Sequence, residues 1–482
     1  MTRKFIIILL PTLILCFGNC AGDFLDSEPS GYLSGEEAKA NLGVLVNGLY
    51  LSTFLGGTGG TGGHDDFGQK SNDICLDLMS GDMVLNGENY GWFYDVYDFT
   101  DQNSTGGRAY SAWRYYYRLI NATNAIFDLL GSDEVAPRDN ADYKTYFGQT
   151  KVIRAYCYFY LVNLYQHRYQ DRVNNPGVPV YRTQETLEVH GQSTVKEVYE
   201  LIVKDLKEGV EALNGYDRPS KSKIDNSVAY SYLAYAYLSM GEYEKAVEAA
   251  DHVINKFPVM TAKQVTESGF SSLDMPSWIW GVYITLDNTQ QLQSFWGHMD
   301  YFTYSYAWAG DAKIIDSDLW ASIPVTDVRK NQFDADSYMP IWKFYDRGRT
   351  AGGDRQWRND LVYLRVEEMI LIKAEALARL NRDVEAKAAL KTLLDNRDTA
   401  AASALAAKTH DELMEAIYYN WRVEMWGEGK LFFALKRFGK TAVRGSNHFV
   451  RAGQSFPYND QRMIFAIPER EVLNNPYLQP QN

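Results

Sequence analysis

Hydrophobic positions recur along this chain mostly with a helical period. Between Arg108 and Leu130, residues Trp113, Tyr116, Ile120, Ala122, Ala125, Ile126 and Leu129 follow one another at spacings near three and four. That spacing places them on one stripe of an amphipathic helix. Tyr143 to Tyr165 predicts a second long helix, with Val152, Ala155, Tyr156, Phe159, Val162 and Leu164 as its apolar side. Thr194 to Leu213 predicts a third, and Thr194 with Glu197 three residues on forms a capping box at its start.

A helix pair follows between Asn226 and Pro258. Tyr230, Leu233, Ala234 and Tyr237 line its first helix, Gly241 makes the turn, and Tyr243, Ala246, Ala250 and Val253 line the second. Small residues at the crossing and proline at the end match the tetratricopeptide pattern of about 34 residues. A second copy has Ile370, Ala374 and Leu377, a turn near Asn381, then Ala386, Leu390 and Leu393. Such units bury their faces only against stacked neighbours. Gln166–Gln192, with NNPGVPV, carries no helical period. Val259–Asp360 is a long insertion with a strand-like piece, WIWGVYIT, in which Trp278 and Trp280 read as core. Gly56–Gly63, GGTGGTGG, reads as a flexible loop and lacks the Lys-Ser/Thr of a phosphate-binding loop.

Composition narrows the class. Across 482 residues, 46% hydrophobic and 23% charged residues are globular values, which excludes a disordered chain or a fibre. A net charge of −13 argues against nucleic acid as partner. Aromatics reach 14%, enough to fill cores and also to stack on flat ligand faces.

Arg3 and Lys4 precede the apolar run Phe5–Leu15. Its length of about 11 residues suits a signal peptide and falls short of the ~20 of a membrane-spanning helix. Gly18 and Asn19 then precede Cys20, an ending that resembles a lipobox, with Phe17 where Leu is usual. Acylation of Cys20 is the expectation; ordinary cleavage near Ala21 is the alternative. Cys75 and Cys157 remain, read as buried thiols, and no Cys/His cluster has zinc-ligand spacing.

Six segments in register resemble the RagB/SusD family of outer-membrane nutrient-binding lipoproteins of Bacteroidetes-type bacteria. They are CAGDFLDSEP; AWRYYYRLINATNAIFDLL; VIRAYCYFYLVNLYQ leading to NNPGVPV; LRVEEMILIKAEALARLN; EAIYYNWRVEMWGEGKLFFALKRFGK; and the terminal AIPEREVLNNPYLQPQN. Family members usually carry a Glu-Arg pair where Asn420, Trp421 and Arg422 stand here. The resemblance implies a mainly α protein: a tetratricopeptide-like helical scaffold, an α-α superhelix, with large irregular, partly β insertions that form the ligand surface. The expected layout is a signal peptide over 1–19 and one domain over 20–482. Its scaffold covers about 108–258 and 361–438, and its loop-rich regions about 56–107 and 259–360. The resemblance further implies a lipid-anchored protein of the outer membrane, at the cell surface. Such a protein has no enzymatic activity, cofactor or metal. It captures glycan, or in some members peptide, and delivers it to a SusC-like TonB-dependent transporter.

Sugar rings present apolar C–H faces, so aromatic platforms flanked by polar groups are the expected chemistry. Two loop clusters fit: NYGWFYDVYDF and SFWGHMDYFTYSYAWAG. From them Asn89, Trp92, Tyr94, Trp296, Tyr301, Tyr304 and Trp308 are the expected ligand-binding residues, with Trp92 and Trp296 on one face. Loop packing, or a half-buried strand in the second cluster, is the competing reading. Asp65, Asp66, Asp73, Asp77 and Asp82 lack calcium-loop spacing and read as solvated residues or helix caps. Arg422 and Glu424 read as a structural ion pair or surface charges. His64, His167, His190 and His298 sit in no HExxH or triad context. A glycoside-cleaving enzyme, which needs a carboxylate pair across the substrate, and a tetratricopeptide adaptor for proteins are the rival classes.

Overall fold

The structure is a computed structural model that describes residues 35–183 and 189–479. The expected signal peptide and Cys20 lie outside the described residues. The chain divides into two units, Met1–Leu42 and Gly43–Asn482. In the first, the described residues form the short helix Gly35–Ala40, with Glu36 and Glu37 in its first turn, where acidic groups complement the helix dipole.

The second unit is mainly helical. Its principal helices are α1 (Gln69–Ser80), α2 (Gly107–Leu130), α3 (Ala141–Tyr165), α4 (Val195–Ala212), α5 (Asn226–Met240), α6 (Tyr243–Ile254), α7 (Val366–Arg379), α8 (Asp383–Leu394), α9 (His410–Glu424) and α10 (Leu431–Phe438). Packing runs from neighbour to neighbour, α2 on α3, α3 on α4, α4 on α5, α5 on α6, α6 on α7 and α7 on α8. That succession is the stacked arrangement the repeat pattern requires. The predicted capping box is present, since Thr194 Oγ1 accepts from Glu197 N and Glu197 returns a carboxylate to Thr194 N. Gly241 ends α5 in a left-handed turn. Ala234 and Ala246 are both fully buried.

Helix α3 departs from the one-sided reading: every residue from Phe147 to Tyr165 is buried. Its two basic residues in this stretch are paired inside, Lys151 and Arg154 both bonding to the Asp205 carboxylate of α4. Helix α1 holds Cys75, which the sequence places within an apolar helical pattern, and all its residues are buried, the polar ones included. The solvated reading of the nearby acids is overturned, because Asp66, Asp73, Asp77 and Asp82 are all at most 4% exposed. Each has a partner: Asp73 meets Lys70, Asp77 accepts from Gly429 N, and Asp82 takes both donors of Arg422. Cys75 and Cys157 are free and buried.

The strands are short. β1 (Met83–Leu85) pairs antiparallel with β3 (Lys313–Ile315), and β2 (Trp278–Val282) with β4 (Leu361–Arg365). Trp278 and Trp280 are core residues, as expected. Arg422 and Glu424 are structural charges, though not with each other. Glu424 meets Arg329, Arg365 and Arg397, all buried. Between α9 and α10, Gly429 has φ +73, and a Cβ there would lie 2.6 Å from Asp73 Cα, so only glycine fits. Among the described residues no helix is long and apolar enough to cross a membrane.

The α5–α6 crossing gives a direct test. Replacing Ala246 by Phe is expected to overpack it and cost about 1–3 kcal/mol. Thermal melts of Ala246→Phe at the parent's melting temperature would contradict the repeat packing.

Candidate ligand surface

The β1–β3 ladder brings the two aromatic clusters together. Its register pairs Met83 with Ile315 and Leu85 with Lys313, so the loop leaving β1 runs beside the loop entering β3. Asn86 N donates to Ala312 O at 3.0 Å, extending the ladder. Beyond it the Asp311 carboxylate accepts from the backbone N–H groups of Asn89 and Tyr90, at 2.7 and 2.9 Å. Asn89 Nδ2 donates to Ala309 O. Segments more than two hundred residues apart are thus joined by backbone and carboxylate bonds.

Tyr306, itself buried at 6% exposure, is the hub on which the resulting surface packs. His298 stacks on it with ring centroids 4.8 Å apart, while Tyr90, His64 and Trp92 meet it edge-on at 4.9, 5.8 and 6.2 Å. His64 and Trp92 lie nearly parallel, 5.4 Å apart with 5° between planes. The Tyr306 hydroxyl and His64 Nδ1 are 2.6 Å apart. A second step of the surface is Tyr304, against which Trp308 packs at 4.8 Å and over which Arg355 sits at 3.9 Å. Tyr90 and Trp308 are half exposed, at 51% and 50%. A third group places Arg349 over Trp342 and Tyr345, at 3.9 and 3.8 Å, with Phe302 beside it. Rings with free faces beside guanidinium and amide donors offer both parts of sugar recognition, an apolar face and edge hydrogen bonds.

Behind the rings lies a buried polar row. Lys313 Nζ donates to Asp311 O at 3.1 Å and approaches His298 Nδ1 at 3.2 Å, and His298 Nε2 donates to His64 O at 2.9 Å. Burial, with Lys313 beside it, holds His298 well below the ordinary histidine range, so it is neutral. Burial pushes Lys313 down to about 7, with Asp311 and Asp65 opposing the shift. Among the described residues no group of three His, Cys, Asp or Glu side chains is disposed to hold a metal ion.

The expected site residues divide. Asn89, Trp92, Tyr304 and Trp308 line the surface together, and Tyr301 is half-buried beside Phe302 at its edge. Tyr94 turns away toward Phe449. Trp296 is corrected. It is 2% exposed in the short helix Phe295–Met299, its ring packed on Phe295 and Phe344, and it presents no face to a ligand. Trp92 connects to that helix through Tyr306 and His64, both of which meet His298. His64, Tyr90 and Tyr306 were missed as individual residues. Tyr90 and Tyr306 lay inside the two clusters, and His64 follows the glycine run directly, but no spacing rule singled them out. The glycine run itself is not free. Asp66 accepts from Gly59 N and Thr61 N, Gln290 accepts from Gly56 N, and Gln293 donates to Gly63 O.

Fold and site define a helical repeat scaffold that carries a loop-built aromatic surface. A family model described as starch-binding and associating with the outer membrane matches residues 63–238, and the SusD family model matches residues 293–482. The chain belongs to the SusD/RagB family. It is 24% identical over 528 aligned positions to SusD-like protein P2 of Formosa agariphila, covering 99% of this chain and 98% of that protein. Among solved structures it resembles a SusD-like carbohydrate binding protein of Bacteroides vulgatus, with TM-score 0.78, 25% identity and coverage of 91% and 97% of the two chains. A SusD superfamily protein of Bacteroides fragilis shares the fold at TM-score 0.74 and 22% identity, over 92% of this chain and 99% of that one.

The buried lysine sets a pH dependence. An unfolded lysine keeps its proton up to about 10.4, whereas folded Lys313 releases it near 7. Between those values the unfolded chain binds more protons, so this group makes stability rise with pH, by up to about 1.4 kcal/mol per unit. Lys313→Met is expected to remove that part of the slope. Denaturation of parent and variant at pH 7 and 9 reads it as the difference, and equal slopes would contradict it.

Proposed function

We propose that the protein captures oligosaccharide at the cell surface, on the platform of His64, Trp92 and Tyr90 that packs on buried Tyr306, with Tyr304 and Trp308 beside it, and delivers it to a SusC-like TonB-dependent transporter. The observation that carries this reading is the convergence of two remote aromatic loops on Tyr306, with ring faces left open at Tyr90 and Trp308. The family supports it, as does the name of the Bacteroides vulgatus structure, a carbohydrate binding protein. Capture without bond cleavage fits the groups near the rings. The Asp311 carboxylate is occupied by two backbone N–H groups, and Lys313 and His298 are buried behind the platform. Acylated Cys20 would hold the protein on the outer membrane, where the transporter lies.

A glycan and peptide array on the mature protein, followed by calorimetry, tests the ligand. Trp92→Ala is expected to weaken glycan binding about ten-fold, the equivalent of 1.4 kcal/mol, with an unchanged melting temperature. Trp296→Ala is expected to lower the melting temperature, because it empties packed interior. Parent-like glycan affinity in both Trp92→Ala and Trp308→Ala would remove the platform from the site, and peptide-only binding on the array would replace the glycan reading.

For the anchor, Cys20→Ala is expected to move the protein from the membrane to the soluble fraction in cells lacking the transporter. Acyl chains contribute about 0.8 kcal/mol per buried methylene, so their loss is large. Unchanged membrane association in that strain would refute acylation.

A further inference from the structure

A second cleft, of about 570 Å³, is lined by α2 and by Thr58 of the glycine loop, and by none of the platform residues. That volume is in the range of small-molecule sites, roughly 300–1,000 Å³. Helix α2 forms its floor with Trp113, Arg114, Tyr117, Arg118 and Asn121, and Tyr181 closes one side. Trp113 and Tyr117 pack at 4.7 Å and Tyr117 meets Tyr181 edge-on at 5.9 Å, giving an aromatic wall. Arg114 and Arg118 stand one helical turn apart on the same face. Each donates to a loop carbonyl, Arg114 to Gly60 O at 3.5 Å and Arg118 to Thr58 O at 3.1 Å. Neither forms an ion pair among the described residues. A guanidinium has five N–H donors, so both retain donors for a ligand.

The charge here runs against that of the whole chain, which is −13. Glu471 is the one acidic residue lining the cleft. Burial raises its pKa, and the Trp113 indole bonds to it. Two unpaired guanidiniums therefore face one partly buried carboxyl. Arginine binds carboxylates and sulfate-like oxyanions through paired N–H groups, and the aromatic wall beside it suits the apolar face of a sugar ring.

We propose that this cleft is a second binding site, for the carboxylate or sulfate group of an acidic oligosaccharide. It rests on the glycan reading above only for the class of polymer, since none of its residues belongs to the platform. The site would let one protein hold a charged glycan at two points beside the glycine loop.

The test is calorimetry with three probes: a galacturonic acid trisaccharide, a sulfated carrageenan tetrasaccharide and a neutral galactose oligomer of similar length. The expected result is tighter binding of at least one anionic probe, lost about ten-fold or more in the double variant Arg114→Gln/Arg118→Gln and weakened by added salt. Neutral-probe affinity should be unchanged in that variant. Because both arginines also hold the loop, Asn121→Trp is made in parallel. It fills the cleft from an exposed position, leaves the arginine bonds in place, and should produce the same selective loss. Trp92→Ala marks the platform separately: it should reduce neutral binding while leaving an arginine-dependent anionic component. The proposal is overturned if neither anionic probe binds better than the neutral one, or if both cleft variants bind the anionic probes like the parent. It is equally overturned if an acidic peptide displaces the anionic sugar at equal concentration.

Discussion

Three guanidiniums, those of Arg329, Arg365 and Arg397, converge on the carboxylate of Glu424 in a region sealed from water. Burial alone would raise the pKa of that carboxyl, but the three cations outweigh it and hold Glu424 well below the usual range. Glu428, one helical turn on, is held down to about 2 by Arg365 and Lys343 against the same burial. The four cations come from three places: Arg329 and Lys343 from the long insertion, Arg365 from the end of β4, and Arg397 from beyond α8. Arg397 also donates to Met260 O, where the insertion begins. A buried pair is not stabilising by itself, since desolvation consumes much of the attraction. Removing one member strands the others and costs about 3–5 kcal/mol. The network therefore acts as a geometric lock, which is satisfied only when insertion and repeats are in one register.

The lock reaches the ligand surface through packed rings. Lys343 donates to Glu424 O and pairs with Glu428, and the next residue, Phe344, packs on Phe295 at 5.0 Å. Phe295 and Trp296 open the short helix that ends near His298, and His298 stacks on Tyr306. Trp296 is thus a strut between ionic core and platform. On the other side, Trp426 Nε1 donates to Asp82 O and Arg422 pairs with Asp82, the residue just before β1. The start of β1, and through it the β1–β3 ladder, is consequently fixed to the segment 420–430. The platform is assembled from loops, but its parts are held by buried charges.

The helix pairs were legible because periodicity is local: Leu233, Ala234 and Ala246 declare their face within one turn of their neighbours. The two aromatic clusters were legible as density of rings. What failed depends on partners remote in the chain. Asp82 reads as a solvated acid until Arg422, 340 positions on, is placed beside it. Helix α1 carries Lys70, Asp73 and Asp77 yet is wholly buried, and the apolar pattern around Cys75 does not show that its polar side is covered too. Trp92 and Trp296 look alike in sequence, each within a polar-flanked aromatic run. Trp296 is covered by Phe295 beside it and by Phe344, remote in the chain, which the sequence does not place there. Arg114 and Arg118 sit on the polar side of a helix whose apolar side was read correctly, and a polar face by itself does not tell a solvated surface from a cleft.

The glycine run 56–63 explains how two candidate surfaces can lie close together without interfering. Its backbone is bonded from several directions at once, by Asp66 within the loop, by Gln290 and Gln293 from the insertion, and by Arg114 and Arg118 from α2. A Cβ at Gly59 would lie 2.8 Å from Ser111 O, and one at Gly63 would lie 3.3 Å from the Trp92 ring. The glycines are therefore needed for close approach to α2 and to the platform, rather than for mobility. A short loop of this kind brings the Trp92 ring to Gly63 and the guanidiniums of Arg114 and Arg118 to Gly60 and Thr58, within a few backbone atoms. Because the same hydrogen bonds fix both surfaces, a ligand bound on one meets the other already in place, and the ordering cost that weakens binding by loops is largely met by folding.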